Sequence, residues 1–402
     1  MKKFKLFALS AFAAFALASC DDEPATVVSP TPADNVVPVS GSITSDVMWT
    51  SDKVYRLDGR VVVENNATLT IEAGTIVKAS PGQGAFASAL VITRNGMINA
   101  QGTAAKPIIF TTLADDIQPG MITSPNMDPT NNGLWGGIII LGDAQISAQN
   151  ANDQDVSELQ IEGIPTSVDA LYGGSNDADN SGTLSYVSIR HGGANIGDGN
   201  EINGLTMGGV GSGTTINNIE IVANQDDGIE WFGGSVSLNN VLVWNCGDDA
   251  LDTDQDWNGT CSDFIIVTPN GSAFELDGPE GSLNLNRGTH QFNNGIVYAG
   301  SSISDLVDWD SGTNAGVSNV YFYGIDASYT DGVSSFGGDG TGINAGWEYT
   351  LAAGAVADSV FQGVPTAILT AVGANQNTVG PNAANFGWTW AAASGALGTL
   401  GL

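Results

Sequence analysis

Two short acidic motifs lie one repeat apart. Asp226-Asp227-Gly228-Ile229-Glu230 recurs as Asp248-Asp249-Ala250-Leu251-Asp252, at an offset of 22 residues. Carboxylates grouped this way either chelate a hard cation or flank a glycosidic bond as acid and base. The elements that carry them must stack the second motif over the first, about 4.8 Å away. Six carboxylates that close repel strongly unless a cation lies among them. Ca²⁺ fits, because it takes six to eight oxygens and tolerates loop geometry. The lack of a neighbouring His argues against Zn²⁺ or Cu²⁺. Asp254, Asp256 and Asp263 follow and are expected on the same edge. The plain alternative is a solvated acidic turn, and a cation site here could be structural or functional.

Three weaker signals accompany the motifs. Asp177-Ala178-Asp179-Asn180-Ser181-Gly182 resembles the start of an EF-hand loop, but position twelve is Ser188, so only a Ca²⁺-stabilised loop on Asp177, Asp179 and Ser181 is expected. Trp231, Trp244 and Trp257 recur every 13 residues and could stack on sugar rings, burial being the alternative. Arg190-His191 ends a β-rich run and reads as a turn salt bridge rather than a catalytic pair.

Short β-rich runs broken by Gly and Asn must position these groups. Gly accounts for 53 of 402 residues without a collagen-like period, which calls for many tight turns. Thr68–Ile71 is followed after 21 residues by Ala89–Ile92, and Ile76–Ala79 by 97–100. The run 219–222 is followed after 22 by 241–244. Such a period, with no long apolar 3.6-residue pattern, predicts an all-β coiled solenoid rather than a β-sandwich. About a dozen coils would give a rod of about 55–60 Å. The uneven gaps 113–133 and 148–182 are expected to leave the rod as loops.

Forty-three acidic against 11 basic residues set the formal charge at −32. Nucleic acid is thereby excluded as a partner, as is an anionic lipid surface bound through a basic face. The 42% hydrophobic content excludes a disordered acidic chain. Met1-Lys2-Lys3-Phe4-Lys5 and the apolar run that follows form an export signal too short to span a membrane. Residues 1–19 are read as that signal and 20–42 as a Pro-rich acidic tether. In an oxidising exported setting Cys246 and Cys261 are expected to pair, with two buried free thiols as the alternative. The β-helix is placed at 43–348. Residues 349–402 have Asp358 as their only charged side chain. They are read as an apolar cap on the open end of the solenoid, or else as an oligomer contact.

Leu17-Ala18-Ser19-Cys20 resembles the lipobox of bacterial lipoproteins, which implies acylation of Cys20 and membrane attachment through the lipid. The acidic run after Cys20 resembles the export signal of surface lipoproteins in Bacteroidota, which implies an outer-membrane location exposed on the cell surface, whereas under the rule of other bacteria an Asp beside that Cys implies retention at the inner membrane. The strand pattern of 43–345 resembles the right-handed parallel β-helix, or pectin-lyase-like, superfamily. Within it, Glu201-Ile202-Asn203-Gly204, Gly208-Gly209-Val210-Gly211 and Asp226-Asp227-Gly228-Ile229-Glu230-Trp231 look like a group of exported Bacteroidota β-helix lipoproteins of unestablished biochemistry. Cys246-Gly247-Asp248-Asp249-Ala250-Leu251-Asp252 is similar to the calcium site of β-helix polysaccharide lyases. That resemblance implies Ca²⁺ on a uronate carboxylate and a Lys or Arg as base. Beyond Lys106 the chain offers only Arg190 and Arg287, and Arg287 is the better placed candidate. Two functions are therefore expected. One is a calcium-stabilised surface β-helix binding glycan or another surface component. The other is a lyase or hydrolase of acidic glycans at the Asp226–Asp256 edge.

Overall fold

The computed structural model describes residues 35–161, 164, 170–197, 200–280, 288–310, 312–338 and 342–402. Cys20, the leader and residues 20–34 of the tether lie outside the described residues, as does Arg287. No described helix is long and apolar enough to cross a membrane.

Parallel strands wind into one 23-stranded sheet with three faces. Face one stacks Thr68–Ile71 on Met97–Gln101 and then climbs through the first halves of Gly182–Arg190, Thr215–Val222, Leu238–Trp244 and Thr260–Val267. Face two is built from the second halves of those strands and ends on Trp347–Leu351 and Leu369–Ala371. Face three stacks Ala89–Ile92, Ile138–Leu141, Leu205–Gly208, Ile229–Phe232, Leu251–Asp254, Phe274–Leu276 and Val307–Trp309. This is the parallel β-helix that the repeat predicts. It begins at Val36, because Val36–Ile43 already pairs with Val54–Val63 as the first rung, so the expected tether is shorter than 20–42.

Each coil bends where one residue enters the left-handed region. Between faces one and two the positions are Tyr186, Asn218, Asn240, Asp263, Asn294 and Asn319, with φ of 52–64°. Asn and Asp tolerate this conformation better than other non-Gly residues, and their side chains hydrogen-bond locally. Asp263 therefore belongs to this bend, where it accepts from Asn239 Nδ2 at 2.8 Å, and not to the acidic edge.

The register departs from the expected offset in the first half of the chain. Thr68–Ile71 pairs with Met97–Gln101, and Ala89–Ile92 pairs with residues 60–63. Ile76–Ala79 pairs with Ile108–Thr112. The 21-residue matches joined strands of different faces, because insertions lengthen these early coils. The 22-residue match is correct, with Ile219 opposite Val241 and Val222 opposite Trp244.

Inward side chains fill the coil with one continuous core, from Trp49 and Leu57 to Phe322 and Trp347. The two expected loops do leave the rod. Ile117 covers Val54, Ile76 and Ile109 on face two. Ile146, Ile161 and Tyr172 cover Val62, Val91 and Ile139 on face three.

The C-terminal segment does more than close the end. Val360, Phe361 and Val364 seal the last rung beside Trp347. Residues 372–402 then fold back along the outside of face two, placing Phe386, Trp390 and Leu397 on Val222, Leu242, Trp244, Ile265 and Ile296. The Ala391 amide donates to Glu220 Oε1 at 3.0 Å. Arg190, 1% exposed, pairs with Glu220 at 3.6 Å and lies 4.9 Å from the Trp390 ring centre. Its Nε donates to Ser188 Oγ at 2.7 Å. The Arg190 salt bridge is thus a buried registration point for the strap.

Candidate metal and carbohydrate site

Along face three, alternate residues point in and out. Ile229, Trp231 and Leu251 are fully buried inside the coil, so Glu230 and Asp252 point outward. The two stand opposite each other on adjacent rungs. The column continues: Asp252 faces Glu275, and Glu275 faces Asp308. A second column runs beside it, in which Phe232 faces Asp254, and Asp277 and Asp310 follow on the next rungs.

The expected motif residues converge at its lower end. Carboxylate oxygens of Asp226, Asp227 and Asp248 lie within 4.8 Å of one another, as do those of Asp227, Glu230 and Asp252. Asp227 belongs to both groups. Its Oδ1 also accepts the Asp249 amide at 3.0 Å, and Asp249 Oδ1 accepts the Ser272 amide, so two carboxylates fasten the coil above them. The coils can approach because the motif carries glycine. A Cβ on Gly228 would stand 2.6 Å from the Ala250 carbonyl oxygen.

The electrostatics are those of acid facing acid. Burial, then Asp226 and Asp249, pushes Asp227 well above the carboxylate range. Burial and Asp227 do the same to Glu230, and burial and Glu230 to Asp252. A hydrogen bond with Asp249, then burial, pushes Glu275 up to about 10. Burial, then Asp310 and Asp308, raises Asp277 to about 6. Burial and Glu280 raise Asp254. Such a ladder takes up either protons or cations. The basic side chains with ion pairs are engaged elsewhere: Arg56 with Asp58, Arg94 with Asp143 and Glu158, Arg190 with Glu220.

One further observation fits a cation. Asn203 is 5% exposed and donates through Nδ2 to Glu230 Oε2, while its Oδ1 is buried without a partner. The converging carboxylates of Asp227, Glu230 and Asp252 are a hard-oxygen donor set, and the unpartnered Oδ1 belongs to a residue bonded to Glu230, so the residues fit Ca²⁺. Asn203, Glu275, Asp277, Asp308 and Asp310 extend the site beyond the motif. A signal for the acids was present in the chain: Leu251-Asp252-Thr253-Asp254, Phe274-Glu275-Leu276-Asp277 and Val307-Asp308-Trp309-Asp310 share an apolar–acid–x–Asp pattern.

The other candidates fall elsewhere. Asp177 accepts from the Gln145 amide at 3.1 Å, and Asp179 accepts from Ser181 Oγ at 3.3 Å, so this loop spends these oxygens on its own hydrogen bonds. Trp231 and Trp257 are stacked inside the coil with centroids 4.6 Å apart, and Trp244 packs edge-on to Trp390 under the strap. None offers a face to sugar, which corrects the stacking role. Cys246 and Cys261 are both free and buried, which corrects the disulfide. Cys261 points inward on face one between Leu238 and Phe292, whereas Cys246 lies in the turn after face two with Sγ 3.4 Å from the Asp248 carbonyl oxygen.

A three-faced parallel coil with a carboxylate column on one outer face defines a parallel β-helix protein. The chain matches the family model described as a pectate-lyase-like beta helix domain over residues 41–328, and it belongs to that family. No curated protein matches it at a significant level.

Proposed function

We propose that this chain is an exported lipoprotein, acylated at Cys20 and held on the outer membrane, that binds Ca²⁺ on its acid ladder and engages glycan there. The unbroken column Glu230–Asp252–Glu275–Asp308 carries this reading. Bound divalent cations turn a face that repels anionic polymers into one that shares its metal with glycan carboxylates or paired hydroxyls. Calorimetric titration of metal-stripped protein with Ca²⁺, followed by glycan binding with and without Ca²⁺, is the test. Absence of Ca²⁺ binding at millimolar concentration overturns it.

A hydrolase is the second reading, and the hydrogen bond between Asp249 and Glu275 favours it over a lyase. Glu275 held protonated at neutral pH is suited to protonating a departing glycosidic oxygen, with a second ladder carboxylate activating water. Arg287 would be the base of a lyase. Reducing-end and ultraviolet assays on acidic glycans with Ca²⁺ separate binding, hydrolysis and elimination.

A further inference from the structure

On a different part of the rod, where face two turns toward face three in the late coils, Thr268, Tyr298, Gly300, Ser301, Gly324, Ile325, Asp326 and Ala352 surround an open cleft of about 470 Å³. Only part of this lining is chemically telling. The Tyr298 ring lies against the Gly324 backbone, so closely that a Cβ at Gly324 would run into it. Tyr323 packs edge-on to Tyr298 with centroids 5.2 Å apart. The Tyr298 ring is therefore braced on two sides while remaining part of the cleft wall. The same lining includes Ser301 and Asp326, whose Oδ1 is held by Ser328 through its amide at 2.8 Å and its hydroxyl at 2.6 Å.

We propose that this cleft is a calcium-independent subsite for a neutral pyranose, separate from the acid ladder. A braced aromatic ring offers the apolar face of a sugar a surface to lie on, and the hydroxyl and carboxylate pair with its equatorial hydroxyls. The lining contains no Lys or Arg and includes Asp326, so uronates and phosphates are disfavoured. It holds one carboxylate rather than a cluster, so no cation is needed. The size suits one or two sugar units.

The inference does not depend on metal at the ladder, and chelator separates the two. Cellohexaose, mannohexaose and xylohexaose are titrated against the full chain in excess EDTA and followed by saturation-transfer NMR. At least one binds, Tyr298→Ala weakens it at least about fivefold, and Tyr298→Phe retains it. Failure of all three sugars to bind in EDTA overturns the proposal. So does a Tyr298→Ala variant, folded by circular dichroism, that binds as well as the wild type. Binding that appears only with Ca²⁺ also overturns it and assigns the sugar to the ladder instead.

Discussion

Glu230 and Asp252 face each other across adjacent rungs of face three, two acids in direct lateral register with Asp227 close to both. A parallel sheet ordinarily avoids like charges at such a spacing. Their arrangement makes the ladder a cation and proton acceptor, and most of the following expectations derive from it.

Calcium should stabilise the fold. A ligand that binds only the native state adds about 2.7 kcal/mol when present at 100 times its Kd. Metal-stripped protein should therefore melt lower than protein in excess Ca²⁺, and Asp252→Asn should shrink that difference. Identical melting curves with Ca²⁺ and with chelator would exclude the site.

Metal-free protein should lose stability as pH rises from 6.5 to 8. Glu275, at about 10, is raised far above its unfolded value and carries the loss across this window, whereas Asp277, at about 6, loses most of its share below it. A raised carboxyl favours the fold below its unfolded pKa, and that contribution fades as pH climbs through the folded value. Below 6.5 the buried His191 and His290, both lowered by burial, act in the opposite sense. Urea melts of stripped protein at pH 6.5, 7 and 8 measure the trend, and Ca²⁺ should flatten it. Constant stability across the window counts against an uncompensated ladder.

Breaking the pair under the strap should be expensive. Glu220 accepts from the Ala391 amide and pairs with fully buried Arg190. Glu220→Gln leaves a buried guanidinium uncompensated, at a cost of about 3–5 kcal/mol. Denaturant unfolding followed by tryptophan fluorescence reads the loss, and a change below about 1 kcal/mol would show that the strap does not depend on this pair.

Thiol chemistry should report two free cysteines. Cys246 and Cys261 are buried, and burial pushes both thiols up, so the native protein should react slowly with an aromatic disulfide reagent. In guanidinium without reductant both should react at once. No released thiol under those conditions would restore the disulfide.

Much of the site was legible because the coils that carry it are regular. Ile216 to Trp244 and Ile229 to Asp254 keep a 22-residue step, so the repeat of Asp226-Asp227 at Asp248-Asp249 translates directly into stacking. The step from Glu275 to Asp308 is longer, and that rung was missed although its apolar–acid–x–Asp pattern repeats. Early coils were misregistered for the same reason, as Ala89–Ile92 stacks on residues 60–63 and not on Thr68–Ile71.

Local sequence thus determined that strands form, where they bend and which way each residue faces, because these depend on period two and on backbone conformations that Asn, Asp and Gly tolerate. Tertiary structure alone decided which rung meets which, that Cys246 and Cys261 stay apart, and that the apolar tail runs back over face two to Glu220 and Arg190. Those outcomes depend on how much chain leaves the rod between rungs and on which apolar surface remains to be covered, and neither is written in any short stretch of residues.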